Sequence, residues 1–279
     1  MRKGTGYSLI CAVVPAQNEA GRVGKVVEKL LRLPVDLVVP VVNGSVNGTL
    51  AEIAAFPAEK VHPLFFREAL GLDVPRAIGS AYALKAGATA VLFVDGDMAQ
   101  VPSRVLQELK EAVVAGTDLA LTDCYPPEAP LPETPVTRRL LLLRRELNRC
   151  LQMPALGYAS PAHGPHAVSL RFLRTVPLAE LAVPPVALCL AVRAGLKVAV
   201  ATSIPHHKLG SPARGSLHST RVAATIIGDC LEALAVCRGI PRSREKDGVY
   251  YDGYDSQRRR DILMAYIENQ NPGARIQKN

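Results

Sequence analysis

The residues best equipped to do chemistry in this chain are two aspartates, Asp95 and Asp97, separated by a single glycine, Gly96. They follow Val91-Leu92-Phe93-Val94, an apolar run that reads as a strand buried on both faces. In an open α/β sheet, ligands bind beyond the carboxyl ends of the strands. Two carboxylates at such a place, with no lysine or arginine beside them in sequence, need a counter-charge. A hard divalent cation gripping a substrate diphosphate would supply it. Taken alone, the triplet also fits a turn in which Asp95 caps and Gly96 takes a positive φ. The case for chemistry therefore rests on the neighbouring loops.

Two other strands empty into polar loops in the same way. Leu9 to Val14 leads into Pro15-Ala16-Gln17-Asn18-Glu19, and Val35 to Val42 leads into Asn43-Gly44-Ser45-Val46-Asn47-Gly48-Thr49. The second loop is rich in residues that accept left-handed geometry and expose backbone N–H groups. Between these strands, Val23, Val26, Val27, Leu30 and Leu31 repeat at helical spacing, and Pro34 ends that helix. Leu50 to Phe56 reads as a short helix and Val61 to Arg67 as a third strand. Asp73 and Arg76 stand in the loop before a small-residue helix, Ala77 to Ala86. Strand and helix thus alternate up to Asp95, which implies a parallel sheet with right-handed crossovers.

Further along, Val101 to Ala115 predicts an amphipathic helix and Leu119 to Thr122 a strand. The proline-rich stretch Pro126 to Pro135 reads as a linker. Thr137 to Gln152 predicts a basic helix whose leucines pack on the core and whose arginines form a solvated face. Its sharper alternative is an interfacial helix drawn to anionic lipid. Val168 to Val176 and Val186 to Ala194 read as helices, and Leu196 to Ile204 as a strand ending in Pro205-His206-His207-Lys208. Thr220 to Val236 is a long helix. The polar tail from Arg242 reads equally as a lid or as a loosely held end. Three segments follow: 1–125 as a first half carrying the polar loops, 126–240 as a second half of the same domain, and 241–279 as a polar tail or lid.

Composition narrows the partners. The chain has 279 residues, 48% hydrophobic, with mean hydropathy +0.14, enough for a sizeable core. A net charge of +8 suits an anionic partner, while 5% aromatics without tryptophan argue against a base-stacking surface for nucleic acid. No C-x-x-C pair occurs among the six cysteines, which read as buried thiols of a reducing compartment. Without a cleavable leader or a long apolar span, a cytoplasmic location is expected. A homodimer and a peripheral membrane contact through Thr137 to Gln152 complete the partner expectations.

Together, Val13 to Glu19, Asn43 to Thr49, the segment Gly71 to Arg76 and Asp95-Gly96-Asp97 resemble, in order, the motifs of family 2 glycosyltransferases. Asn43 and Asn47 replace aspartates usual in that family. The resemblance leans toward its glucosyl-3-phosphoglycerate synthase and mannosylglycerate synthase type. It implies an α/β, Rossmann-like GT-A fold: a mostly parallel central sheet flanked by helices, a helical acceptor-side region and a C-terminal tail. It further implies a metal-dependent transferase with Mg or Mn, moving a sugar from a nucleoside-diphosphate sugar to a small phosphorylated or carboxylated, or lipid-linked, acceptor. Asp97 would bind the metal and Asp95 the ribose or a metal-bound water; these are the expected catalytic pair. Pro15, Ala16, Gln17, Asn18, Glu19, Asn43, Gly44, Ser45 and Gly96 would cradle the nucleotide. Arg76, with Lys208 or Arg214, would neutralise the diphosphate. A histidine after a late strand serves that type as a further metal ligand, placed here at His207. Its inverting members carry a carboxylate base at the start of a helix equivalent to Val183 to Leu190. This chain has Val183-Pro184-Pro185 there, with Glu180 and Asp123 as substitutes, so retention is favoured over inversion. A catalytically degenerate nucleotide-binding or scaffold protein is the alternative.

Overall fold

A computed structural model describes residues 8–129, 134–212 and 215–270. The expected alternation forms β1 (Ile10–Ala16), α1 (Val23–Leu31), β2 (Leu37–Asn43), α2 (Thr49–Ala54), β3 (Leu64–Phe66), α3 (Val74–Lys85) and β4 (Ala90–Phe93). β1 and β2 are rich in β-branched residues with no polar alternation, as befits strands covered on both faces. β1 pairs in parallel with β2 on one side and β4 on the other, with Val13 opposite both Val39 and Phe93. The register continues past the strands: the Gly96 amide donates to the Pro15 carbonyl at 2.9 Å. The three polar loops therefore leave the sheet at one level.

The sheet has the order β3-β2-β1-β4-β6-β5-β7. The chain steps outward from β1 to β3 and then returns to the other side of β1, so the strand order reverses between β1 and β4. That reversal is the topological switch point at which open sheets bind ligands. α3 lies close against it. Any side chain at Gly79 would overlap that of Val13, so the glycine lets helix and sheet approach. Pro75 in the first turn suits the start of this helix.

The second half adds α4 (Ser103–Val114), β5 (Leu119–Asp123), α5 (Pro135–Cys150), β6 (His166–Ser169), α6 (Leu170–Thr175), α7 (Pro184–Arg193), β7 (Val198–Ser203) and α8 (Ser216–Arg238). A small hairpin of β8 (Glu245–Lys246) and β9 (Val249–Tyr250) and a last helix, α9 (Arg260–Gln270), follow.

Four expectations need correction. Val168 and Ser169 are not helical: they belong to β6, antiparallel to both β4 and β5. In so short an apolar run, period alone cannot separate strand from helix, and pairing between β4 and β5 decides it. The third strand is shorter than Val61 to Arg67, with Val61 making only a single bridge to Val38. Not every arginine of α5 is solvated, because Arg144 is buried at 2% exposure where α5 packs on α8. Finally, Cys150 and Cys237 form a disulfide between the C-terminal ends of α5 and α8. The separation of 87 positions hides this pairing from sequence. Cys11, Cys124, Cys189 and Cys230 remain buried thiols. Among the described residues, no helix is long and apolar enough to cross a membrane.

Candidate functional site

A cleft of about 1000 Å³ opens at the switch point. Its floor comprises Pro15 to Glu19, Asn43, Arg76 and Asp95-Gly96-Asp97, brought together from four segments of the chain. The facing wall carries Ala162, His163, His206 and Leu209, then His218, Val222 and Ile226 of α8, and Tyr254 and Gln257 of the tail.

The first two loops hold each other. Asn18, at φ 57, accepts from the Val46 amide at 2.9 Å, while its own amide donates to Ser45 Oγ at 3.0 Å. Thr49 Oγ1 accepts from the Glu19 amide at 2.8 Å. Asn47 Oδ1 accepts from the Thr49 amide at 3.1 Å, a turn closed by an amide oxygen as well as by a carboxylate. Asn43 is buried, accepting from the Leu70 amide at 3.0 Å and donating to the Ala16 carbonyl at 3.4 Å. Both asparagines thus preserve the loop geometry without its charge. Gly44 and Ser45, expected at the nucleotide, are outside the cleft lining, and Ser45 reaches it only through its bond to Asn18. Glu19 is buried and ion-paired with Arg22 at 2.8 Å.

Asp95 already has a counter-charge that its sequence neighbours did not reveal. Arg76, 19 residues upstream and buried, donates to both carboxylate oxygens at 2.6 and 2.7 Å and also pairs with Asp73. Burial works against the Arg76 charge, but Asp95 and Asp73 outweigh it and hold the pKa above the ordinary guanidinium value. Arg76, expected to neutralise a diphosphate, lines the cleft with its charge paired to two carboxylates. Burial pushes Asp73 up to about 6, against the pull of Arg76 and Arg258.

Asp73 connects the floor to the tail. Arg258, fully buried, reaches Asp73 at 3.5 Å, Asp229 at 2.7 Å and Asp255 at 2.7 Å. Arg244 joins Asp229 and Glu232 at 2.7 and 2.8 Å. Among the described residues, the ligand atoms of Asp229, Glu232 and Asp255 lie within 4.8 Å of one another, a spacing open to a metal. Arg244 and Arg258 already occupy that space, so the trio is a buried ion-pair network and not a cation site. The tail is consequently a docked strap. Gly71, at φ +85, lets it approach, since a Cβ there would stand 2.6 Å from the Gln257 carbonyl oxygen.

On the facing wall, His163 Nε2 and His206 Nδ1 are 3.1 Å apart, with Tyr125 stacked on both rings. Burial, Arg144 and His206 push the His163 pKa well down; desolvation, Arg144 and His207 lower that of His206. Both rings are therefore neutral imidazoles near pH 7. His207, the expected metal ligand, is exposed and outside the cleft lining, because the short turn 206–208 aims its predecessor inward. Lys208 is likewise exposed and outside the lining, and Arg214 lies outside the described residues. Of the proposed replacement bases, Glu180 is tied to Arg242 at 2.8 and 3.0 Å, and Asp123 accepts from the Tyr125 amide at 2.8 Å. Neither lines the cleft. Asp97, His163 and His206 line one cleft, and one carboxylate with two imidazoles is a donor chemistry suited to a divalent ion, but only the two imidazoles lie at ligand spacing, 3.1 Å apart.

No family model matches this chain, and no curated protein matches it. Solved structures do. The fold is that of glucosyl-3-phosphoglycerate synthase. The Mycobacterium tuberculosis enzyme, in complex with Mn2+, UDP-glucose and phosphoglyceric acid, aligns with a TM-score of 0.60 at 20% identity. That alignment covers 84% of this chain and 81% of the other. Another structure of the same enzyme gives a TM-score of 0.59 at 20% identity over 84% and 82%. A further match, described only as a mycobacterial protein, gives 0.57 at 19% over 84% and 76%. The expected GT-A architecture is thus present, a seven-stranded, mostly parallel sheet between helices.

Of the residues that sequence reasoning missed, His163, Arg22, Asp73, Tyr254 and Gln257 reach the cleft from loops or from the tail, and His218, Val222 and Ile226 from α8. The one available signal was the histidine in the Gly/Pro-containing loop before β6.

Proposed function

We propose that this protein is a metal-dependent glycosyltransferase, moving a sugar from a nucleoside-diphosphate sugar to a small anionic acceptor. One observation carries the reading: Pro15 to Glu19, Asn43 and Asp95 to Asp97 converge on a single cleft at the switch point of a GT-A sheet. Asp97 with the cleft histidines would hold Mg or Mn. When bound, such an ion offsets the charge that develops on a diphosphate leaving group. Asn18 held by Ser45 and Val46, Glu19 by Thr49, and Asn43 by Leu70 and Ala16 present a polar floor for base and ribose. α8 and the tail close the opposite side and restrict water. The anionic acceptor is supported by the +8 net charge and by the phosphoglyceric acid bound in the structural neighbour.

Retention fits the chain better than inversion. α7 opens with Pro184 and Pro185 where an inverting enzyme needs a base, and both replacement carboxylates are engaged elsewhere. A nucleotide-binding protein without turnover is the second reading, favoured by the closed ion pair between Arg76 and Asp95. Incubation with UDP-glucose, MnCl2 and 3-phosphoglycerate, with UDP release followed, tests both. Release that depends on metal and acceptor supports transfer. Mn-dependent UDP binding without release supports the second reading, and absence of UDP binding removes both.

A further inference from the structure

His163 and His206 come from separate parts of the chain, the loop before β6 and the turn after β7. Their backbones are pinned independently. The His163 amide donates to the Ser160 carbonyl at 3.1 Å, and the His206 amide donates to the Cys124 carbonyl at 2.9 Å. The Tyr125 ring, with centroids 5.5 and 6.0 Å from theirs, leaves both imidazoles little rotational freedom. The plain account of a 3.1 Å contact between ring nitrogens is one hydrogen bond between neutral imidazoles. The same separation also lets both nitrogens reach one ion. At metal–nitrogen bonds of about 2.1 Å they would subtend roughly 95°, an angle of adjacent octahedral ligands. Among the described residues Asp97 is not gathered with them within 4.8 Å, so the imidazole pair is the assembled part of the seat.

We propose that His163 is an imidazole ligand beside His206, so that His163 Nε2 and His206 Nδ1 together seat the divalent ion of this cleft. The donor set then favours Mn, Co, Ni or Zn over Mg, because imidazole suits borderline metals and Mg prefers oxygen ligands. The seat is read from the histidine pair alone; the ion's part in sugar transfer rests on the reading above.

The test uses metal-stripped full-length protein titrated with CoCl2 or MgCl2 by calorimetry, without nucleotide, and with the cobalt visible spectrum recorded. Cobalt should bind more tightly than magnesium. His163→Ala and His206→Ala should each weaken cobalt by at least about 10-fold, the lower end of what disturbing a metal's ligand support costs. His207→Ala should bind like the wild type. Unchanged cobalt affinity in His163→Ala, or a loss confined to His207→Ala, overturns the proposal. Should His163→Ala fail to fold by circular dichroism, electron spin-echo modulation of Mn2+ bound to wild-type protein decides. Two imidazole nitrogens are expected, and one or none refutes the seat. Mn-dependent UDP binding that needs Asp97 and His206 but ignores His163 sinks this proposal alone. Cobalt held by both histidines with UDP affinity indifferent to metal sinks the transfer reading alone.

Discussion

His166 offers the cleanest quantitative check on the interior beneath the cleft. It is buried on β6 and stacked on Phe93 with ring centroids 4.7 Å apart, beside Arg76. Burial, with Arg76 adding to it, pushes the imidazole down to about 3. In the unfolded chain the same ring titrates near its ordinary value of about 6.5. As pH falls through that value, the unfolded chain gains a proton that the fold refuses until about pH 3. Unfolding therefore binds protons, and stability declines toward acid. At about 1.4 kcal/mol per pH unit, the loss at pH 5 is about 2 kcal/mol, or roughly 4–8 °C in Tm for a chain of this size. Asp73 has the opposite sign. Its folded carboxyl takes its proton near pH 6, before the unfolded one does near 3.8, so it favours the fold toward acid. The clean observable is thus a difference between proteins. His166→Phe keeps the stack on Phe93 and removes the titration, leaving Asp73, His163 and His206 common to both curves. Tm measured from pH 8 to pH 5 should fall less steeply in the variant, by about 4–8 °C over the range. Parallel curves would refute the claim that His166 is held neutral by burial.

Three further outcomes follow from the cleft and its strap. Asp97→Asn should weaken Mn-dependent UDP binding by at least about 100-fold, since it removes the carboxylate charge from the donor set; calorimetry with and without MnCl2 reads it. Asp229→Ala leaves Arg244 and Arg258 without their shared buried partner. It should cost about 3–5 kcal/mol in urea unfolding, and a loss below about 1 kcal/mol would show the network to be dispensable. Gly71→Ala forces a side chain into a left-handed position against Gln257. About 1–3 kcal/mol of destabilisation is expected, together with faster proteolysis between Asp252 and Arg260; protection equal to the wild type would mean the tail does not depend on this contact.

Much of the architecture from β1 to β4 was legible in the sequence because it is built from local signals. Uninterrupted β-branched runs fix buried strands, helical spacing fixes α1, and the polar loop after each strand follows from strand polarity alone. Hence Pro15 to Glu19, Asn43 and Asp95 to Asp97 could be foreseen as neighbours: a parallel sheet brings successive carboxyl ends to one edge. Contacts set by packing could not be foreseen. The capture of Asp95 by Arg76 depends on how deeply α3 lies against β1, which Gly79 permits. That His206 lines the cleft and His207 does not depends on the aim of one short turn, and the approach of His163 on the path of the loop before β6. The disulfide of Cys150 and Cys237, and the strap of Arg258 on Asp73, join residues 87 and 185 positions apart. Sequence thus determined which residues sit at the ends of strands, because strand period and direction are local properties. Only the tertiary structure decided which charges are already spent on one another, because pairing in a low-dielectric interior depends on distances that the order of residues does not encode.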